Sequence, residues 1–271
     1  MSYKSLADLR NVVIFAWLNF LYLSLSKKMY GLIGKKLTYS YSAKVFEKYF
    51  GKSIEFKLIE LESIQQLPEY LINNHQLYGF SVTIPFKKSI IPYISVLDNI
   101  SKEIETVNTV HLKKIKDKVE LYGYNTDVYG FTQAYQQYFP VDCKNAIILG
   151  TGGASAAVNY ALQKIGIKTI KVSRTKNENG IITFSELTDK IISQNKIIIN
   201  ATPLGMYPNV ENYPPIIYNA LNSEHVIIDL NYNPEETTFM KMAKIQNAKI
   251  YNGYQMLEYQ AKKAWQIWGL V

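Results

Sequence analysis

From Met29 onward, short apolar runs alternate with stretches whose apolar residues recur every three to four positions. Met29–Ile33 and Ile54–Ile59 predict strands, and Ala43–Phe50 predicts an amphipathic helix stopped by Gly51. Leu67–Asn73 has helical spacing, and Gly79 leads into an expected strand over Phe80–Ile84. Pro85 fits the first turn of a helix, where its missing N–H costs nothing. Val107–Leu112 and Val119–Tyr124 flank the charged Ile115-Lys116-Asp117-Lys118 turn and predict a hairpin. The strand–helix–strand order indicates an α/β layer.

Asn125–Tyr138 predicts a helix entered through Asn125-Thr126-Asp127, residues suited to an N-terminal cap. Beyond it, Ala146–Leu149, Thr169–Ser173, Ile197–Asn200 and Val226–Leu230 are apolar, mostly β-branched runs. Such runs suit strands buried on both faces of a parallel sheet. With a helix over Ala154–Ile165 between the first two, this half predicts a doubly wound, Rossmann-type domain. No internal repeat or low-complexity tract appears.

Residues 1–28 break the pattern. Val12–Ser26 carries no charge and lies between Arg10 and Lys27-Lys28. As a helix, this run spans about 22 Å, short of the roughly 30 Å hydrocarbon core of a bilayer. Three readings stay open: a membrane anchor, a signal peptide or added core helix, and an appended segment upstream of a true start at Met29. The MYGLIG strand needs nothing before it.

The 271 residues allow one or two domains with a substantial core. A lone Cys143 excludes a disulfide framework and any multi-cysteine metal site. His75, His111 and His225 have no metal-ligand spacing, so no metal is expected. The net charge of +8 comes almost wholly from dispersed lysines, without the stripe of a nucleic-acid binder. Such a surface is either a solvated face or an aid in steering anionic ligands.

The clearest chemical signal is AIILGTGGASAAV, which sets Gly150, Gly152 and Gly153 between a strand and a helix. Glycines there let the backbone turn sharply and approach a pyrophosphate seated on free helix N–H groups. Ser155 stands at the usual third position of G-x-G-x-x-G. The second strand ends in Ser173-Arg174-Thr175-Lys176, where NAD enzymes carry an acid for the ribose 2′-hydroxyl. Arg174 lies where a 2′-phosphate needs a bidentate partner, which favours NADP(H) over NAD. The alternative is a solvated loop cation, and Glu178 nearby would repel a phosphate.

Four polar clusters mark the first half: Thr38-Tyr39-Ser40-Tyr41-Ser42, Ser81–Lys87, Val107-Asn108-Thr109 and Asn125-Thr126-Asp127. Taken singly, Ser40 and Ser42 read as a helix cap, Lys87 as a surface lysine, and Asp127 as a charge favoured by a helix dipole. Taken together they resemble the shikimate dehydrogenase family over residues 29–271. GLIGKKLTYSYS, SVTIPFK, TVNT, YNTDVYGF, GTGGAS, SRT, NATPLGM, DLNY and NGYQMLEYQ match its landmarks in order.

That resemblance implies a catalytic pair, Lys87 and Asp127. Lys87 would protonate the ketone oxygen as hydride arrives, and Asp127 would orient the ammonium and hold a substrate hydroxyl. Ser40, Ser42 and Tyr232 would hold a carboxylate, and Thr83, Asn108 and Gln260 ring hydroxyls. Gly150, Gly152, Gly153, Ala154, Ser173, Arg174 and Thr175 would bind the cofactor. Thr202 and Leu204 would lie along its groove, and Gly253 and Met256 near the nicotinamide.

The implied activity is reversible NADPH-dependent reduction of 3-dehydroshikimate to shikimate. It belongs to chorismate and aromatic amino-acid biosynthesis, in a cytoplasmic monomer or homodimer. The implied domains are residues 29–125 with 250–271 for substrate and 126–249 for the dinucleotide, with the site in the cleft between. Rival readings are an NAD-dependent quinate/shikimate dehydrogenase and a non-catalytic sensor of such ligands.

Three departures stand out. Tyr39 replaces a common histidine, and Asn177-Glu178 occupy the region of a frequent second arginine. The stretch from Arg174 to Ile197 is short and poor in helix formers, so one helix is expected to be missing.

Overall fold

A computed structural model describes residues 28–38, 40–115, 118–175 and 180–271. The expectations for Val12–Ser26, Tyr39, the Lys116-Asp117 turn tip and Asn177-Glu178 lie outside the described residues.

The first part of the chain runs β1 (Met29–Gly34), α1 (Ser42–Phe50), β2 (Glu55–Glu60), α2 (Leu67–Asn73) and β3 (Leu77–Val82). It continues through α3 (Phe86–Ser89), β4 (Val96–Leu97), α4 (Asn99–Ile104) and the hairpin β5 (Thr109–Ile115) and β6 (Lys118–Tyr124). These strands form one sheet in the order β2-β1-β3-β5-β6-β4. β1 runs parallel to both neighbours, whereas β3, β5 and β6 pair antiparallel.

Successive side chains of a strand point to opposite faces, and both faces of β1 are covered. Met29 and Ile33 pack with Leu67 of α2 and Phe86 of α3. Tyr30 packs on the other face with Val45 and Phe46 of α1 and with Trp265 and Trp268 from the chain's far end. A strand buried on both sides has no polar alternation, which is why β1 reads as an unbroken apolar run.

β3 corrects the expected strand over Phe80–Ile84, because Gly79 lies inside it. The Trp268 indole covers Gly79, with Nε1 donating to the Val110 carbonyl at 3.0 Å. A Cβ on Gly79 would stand 2.5–2.8 Å from that ring. At the other end, Thr83 O accepts from Phe86 N–H at 2.9 Å, turning the chain before Ile84 can extend the strand.

The chain then passes through α5 (Asp127–Tyr135), β7 (Asn145–Leu149), α6 (Gly153–Lys164), β8 (Lys168–Ser173) and β9 (Ile181–Thr183). It ends with α7 (Asp189–Gln194), β10 (Ile197–Asn200), β11 (Val226–Asp229), α8 (Thr238–Ile245), β12 (Lys249–Tyr251) and α9 (Tyr254–Ile267). The second sheet has the order β12-β11-β10-β7-β8-β9, with every pairing parallel. Ala146, Ile148, Ile199 and Ile228 fill the core toward α5 and α6, while Ile147, Leu149, Ile198 and Ile227 fill the opposite one toward α8. This is the doubly wound architecture.

Two expectations change in detail. The helix expected over Asn125–Tyr138 begins at Asp127, because Asn125 Oδ1 accepts the N–H groups of Asp127 (3.1 Å) and Val128 (3.4 Å) from outside it. Residues 136–138 tighten into a 3₁₀ turn. The helix expected to be missing before Ile197 is present as the six-residue α7, capped by Thr188 Oγ1 accepting from Ile191 N–H. So short a helix buries only Ile192, which leaves no periodicity to read. α4, α8, β4, β9 and β12 are additional to the expected elements. Among the described residues, no helix is long and apolar enough to cross a membrane.

Candidate active site

The order of the second sheet reverses at β7, whose neighbours β8 and β10 leave a crevice at their carboxyl ends. Facing it are the carboxyl ends of β1 and β3, and α9 returns across both sheets. Between them lies a cavity of about 480 Å³. Ser40, Ser42, Thr83, Lys87, Asn108, Asp127, Ala154, Tyr232, Gly253, Met256 and Gln260, all expected at the site, line it.

Lys87 lies in α3, just past the turn that ends β3. Its Nζ is 2.6 Å from Asp127 Oδ2, with the two side chains 16 % and 1 % exposed. A surface lysine is therefore not what the fold makes of Lys87. Asp127 opens α5, where the helix dipole favours its negative charge. Its other oxygen, Oδ1, accepts from Asn108 Nδ2 at 2.9 Å.

The amide of Asn108 has a defined orientation. Its oxygen accepts Thr126 N–H at 2.7 Å and Thr109 Oγ1–H at 3.1 Å. Nδ2 therefore faces Asp127, Thr126 Oγ1 (3.0 Å) and Gln260 Oε1 (3.2 Å). Two hydrogens cannot serve three acceptors at once, so the longest contact, Gln260 Oε1, is left able to accept from a ligand hydroxyl.

At the other end, Ser40 Oγ lies 3.2 Å from Ser42 Oγ and accepts Ser42 N–H at 3.2 Å. The residue at the N-cap of α1 is Tyr41, whose side chain makes no capping bond, so the serine pair is not a conventional cap. Tyr232 is hydrogen-bonded to Ser40, and its ring centroid lies 5.3 Å from that of Tyr41. Burial pushes the Tyr232 phenol up, and the bonds to Ser40 and the Tyr41 backbone partly offset this. The hydroxyl thus stays protonated and able to donate. Lys35 and Lys36 line the same region, Lys35 being paired with Glu62 at 3.4 Å.

On the nucleotide side, Gly150 has φ +111°, and a side chain there would stand 3.0–3.1 Å from Thr202 Cγ2 and the Ala201 carbonyl. Gly152 is extended at the start of α6, with nothing within 4 Å of where its Cβ would be. An open backbone face beside free helix N–H groups fits a dinucleotide pyrophosphate. The Gly153 backbone lies against Lys87, so that a Cβ would be 3.2 Å from Lys87 Cβ and Cδ.

Gly150, Gly152, Gly153, Ser173, Arg174, Thr175, Thr202 and Leu204 are not part of the cavity wall. Ser173 ends β8, and Arg174 and Thr175 follow it, exposed. Thr202 and Leu204 are tied to Asn200 and Asn231. Among the described residues, no cluster of His, Cys, Asp and Glu could hold a metal.

The sequence reading missed much of the wall, including Leu37, Pro203, Met206, Asn231 and Trp265. Apolar walls have no local signature. Asn231, inside DLNY, had one.

The profile of the shikimate dehydrogenase substrate binding domain matches residues 32–110. A shikimate dehydrogenase (NADP(+)) of Clostridium beijerinckii is 39 % identical over 253 residues, covering 89 % of this chain and 92 % of that one. Its namesake in Methanocaldococcus jannaschii is 35 % identical over 261 residues, covering 89 % and 91 %. Among solved structures, shikimate dehydrogenase from Aquifex aeolicus superimposes with a TM-score of 0.78 at 31 % identity, covering 89 % and 92 %. A shikimate dehydrogenase in complex with NADP+ gives 0.76 at 32 % identity, covering 90 % and 91 %. With the lysine–aspartate pair, the glycine turn and similarity of this extent, the chain belongs to the shikimate dehydrogenase family.

Proposed function

We propose that this protein interconverts 3-dehydroshikimate and shikimate with NADP(H), using Lys87 and Asp127 as its catalytic pair. The observation that carries the proposal is the Lys87–Asp127 contact of 2.6 Å, deep in a cavity bordered by hydroxyl and amide groups. NADP(H), its pyrophosphate held by the glycine turn, would supply the hydride in reduction and accept it in oxidation. Lys87 gives its proton to the carbonyl oxygen in reduction and takes it back in oxidation, and Asp127 keeps the ammonium aimed. A proton donor so positioned contributes roughly 10²–10⁴ in rate.

Ser40, Ser42 and Tyr232 offer three hydroxyls to the substrate carboxylate, while Thr83, Asn108 and Gln260 read ring hydroxyls. Such polar partners discriminate strongly against analogues that lack the hydroxyls, because buried groups would be left unpaired. Gly150, Gly152, Gly153 and Ala154 cradle the pyrophosphate. Ser173, Arg174 and Thr175 receive the 2′-phosphate, Thr202 and Leu204 border the groove, and Gly253 and Met256 flank the nicotinamide.

We take residues 29–125 with the C-terminal helix α9 as the substrate unit and 126–251 as the nucleotide unit. β12 (Lys249–Tyr251) pairs in the second sheet, which moves the expected boundary at 249/250. We take the enzyme to be a monomer or a homodimer. We assign the enzyme to the cytoplasm. The test is reduction of nicotinamide by the full chain, offered shikimate or quinate with NADP or NAD. Turnover mainly with shikimate and NADP supports the proposal. Preference for quinate or NAD moves the chain to the broader dehydrogenase branch, and ligand binding without turnover makes it a sensor.

A further inference from the structure

Asp229 ends β11, is fully buried, and does not line the cavity. Three donors converge on its carboxylate. Thr237 Oγ1 donates to Oδ2 at 2.7 Å, and both Asn231 N–H and Asn200 Nδ2 donate to Oδ1 at 3.0 Å. Burial pushes this carboxyl up to about 6, against the pull of those three bonds and of the Asn231 side chain.

Each asparagine passes the contact on. Asn200, also fully buried, accepts Thr202 N–H at 3.0 Å and Thr202 Oγ1–H at 2.6 Å on its amide oxygen. It uses Nδ2 to bond the Leu204 carbonyl at 3.1 Å as well as Asp229. Turning that amide over would set its oxygen against the carboxylate and undo all four contacts, so Asp229 selects the orientation that holds residues 202–204.

Asn231 works from the other side. Its Nδ2 donates to the carbonyls of Thr202 (3.2 Å) and Leu204 (3.0 Å), and its own carbonyl accepts Gly253 N–H at 3.0 Å. The turn so held carries Pro203 and Met206, and the Asn231 segment carries Tyr232, all on the cavity wall.

We infer that Asp229 is a positioning residue that locks the cofactor-facing turn 202–206 to the substrate-facing segment 230–232 through Asn200 and Asn231. The inference rests on the function proposed above. It predicts that a group touching neither ligand governs the apparent affinity for both.

The test is steady-state kinetics of the full chain carrying Asp229→Ala or Asp229→Asn, with unfolding followed by circular dichroism. Asp229→Ala should raise KM for shikimate and for NADP roughly five- to tenfold each, the size expected for losing one or two hydrogen bonds. Asp229→Asn should stay within about threefold of wild type. Its amide oxygen can accept from Asn200 and Asn231, and its NH₂ can donate to Thr237 Oγ1.

A folded Asp229→Ala with a lowered Tm but unchanged KM values would reduce Asp229 to a structural residue and overturn the inference. So would Asp229→Asn as impaired as Asp229→Ala. If Asp229→Ala does not fold, Asn231→Ala is read instead: both KM values rising supports the lock, and only one rising refutes it. No turnover by wild type defeats the proposed function alone. The lock is then tested by the thermal shift each ligand gives wild type and variant: smaller shifts from both ligands in the variant support it, and unchanged shifts refute it.

Discussion

Replacing Lys87 with alanine probes the chemistry most directly. Two effects can be separated by size. The first is loss of the proton donor, worth roughly 10²–10⁴ in kcat, or about 3–5.5 kcal/mol of transition-state stabilisation. The second is structural. The lysine stem packs against the Gly153 backbone, and its ammonium meets Asp127 at 2.6 Å. Three methylenes lost from a buried position would cost up to about 2 kcal/mol in stability. Water entering the cavity can solvate the Asp127 carboxylate, and Asn108 still donates to it, so the variant should fold. The assay is the appearance of reduced nicotinamide with shikimate and NADP at saturation, together with both KM values. A fall in kcat with modest changes in KM is expected, because the lost interaction strengthens in the transition state. A folded Lys87→Ala enzyme retaining kcat to within about tenfold of wild type would refute the assignment.

Arg174→Ala should raise KM for NADP and spare KM for NAD; equal effects on both would dismiss a 2′-phosphate contact. Gly79→Ala should lower Tm by several degrees, since overpacking costs about 1–3 kcal/mol and the Trp268 ring stands 2.5–2.8 Å from the added carbon; an unchanged Tm would show that the indole moves freely. His225 is fully buried, its ring nitrogens near Asn222 Oδ1 and the Ile192 carbonyl, and burial lowers its pKa. The unfolded ring therefore takes up its proton first, so the stabilisation is whole above about pH 6.5 and is lost as pH falls below it toward the folded value. His111 has the same sign, whereas the raised carboxyl of Asp229 has the opposite one, stabilising at low pH and losing that as pH rises through about 6. Denaturant unfolding at about pH 7.5 and about pH 5.5 should show a smaller loss for His225→Gln than for wild type; equal losses would exclude His225.

Much of the fold is legible in the chain itself. The apolar runs at Met29–Ile33, Ala146–Leu149, Ile197–Ile199 and Val226–Ile228 read as strands because burial on both faces leaves no polar alternation, with the buried Asn200 and Asp229 ending two of them. The glycine turn reads clearly because Gly150 adopts a backbone conformation that other residues resist. Short elements read badly: α7 buries one side chain, and β9 and β12 are three residues each. Gly79 was misleading because the reason for it, the Trp268 indole, comes from the far end of the chain.

The sequence by itself determined most of the segments that extend or coil, since periodicity, capping and backbone permission act between near neighbours. Its ordered motifs marked candidate site residues through a family resemblance. Only the tertiary structure decided that Lys87 meets Asp127 and that Asn108 meets Gln260. It alone set Asp229 beneath the 202–206 turn and the 230–232 segment through Asn200 and Asn231. Those pairings are chosen by how two sheets and a returning helix pack, and by the need to satisfy every polar group so buried, neither of which any local stretch contains.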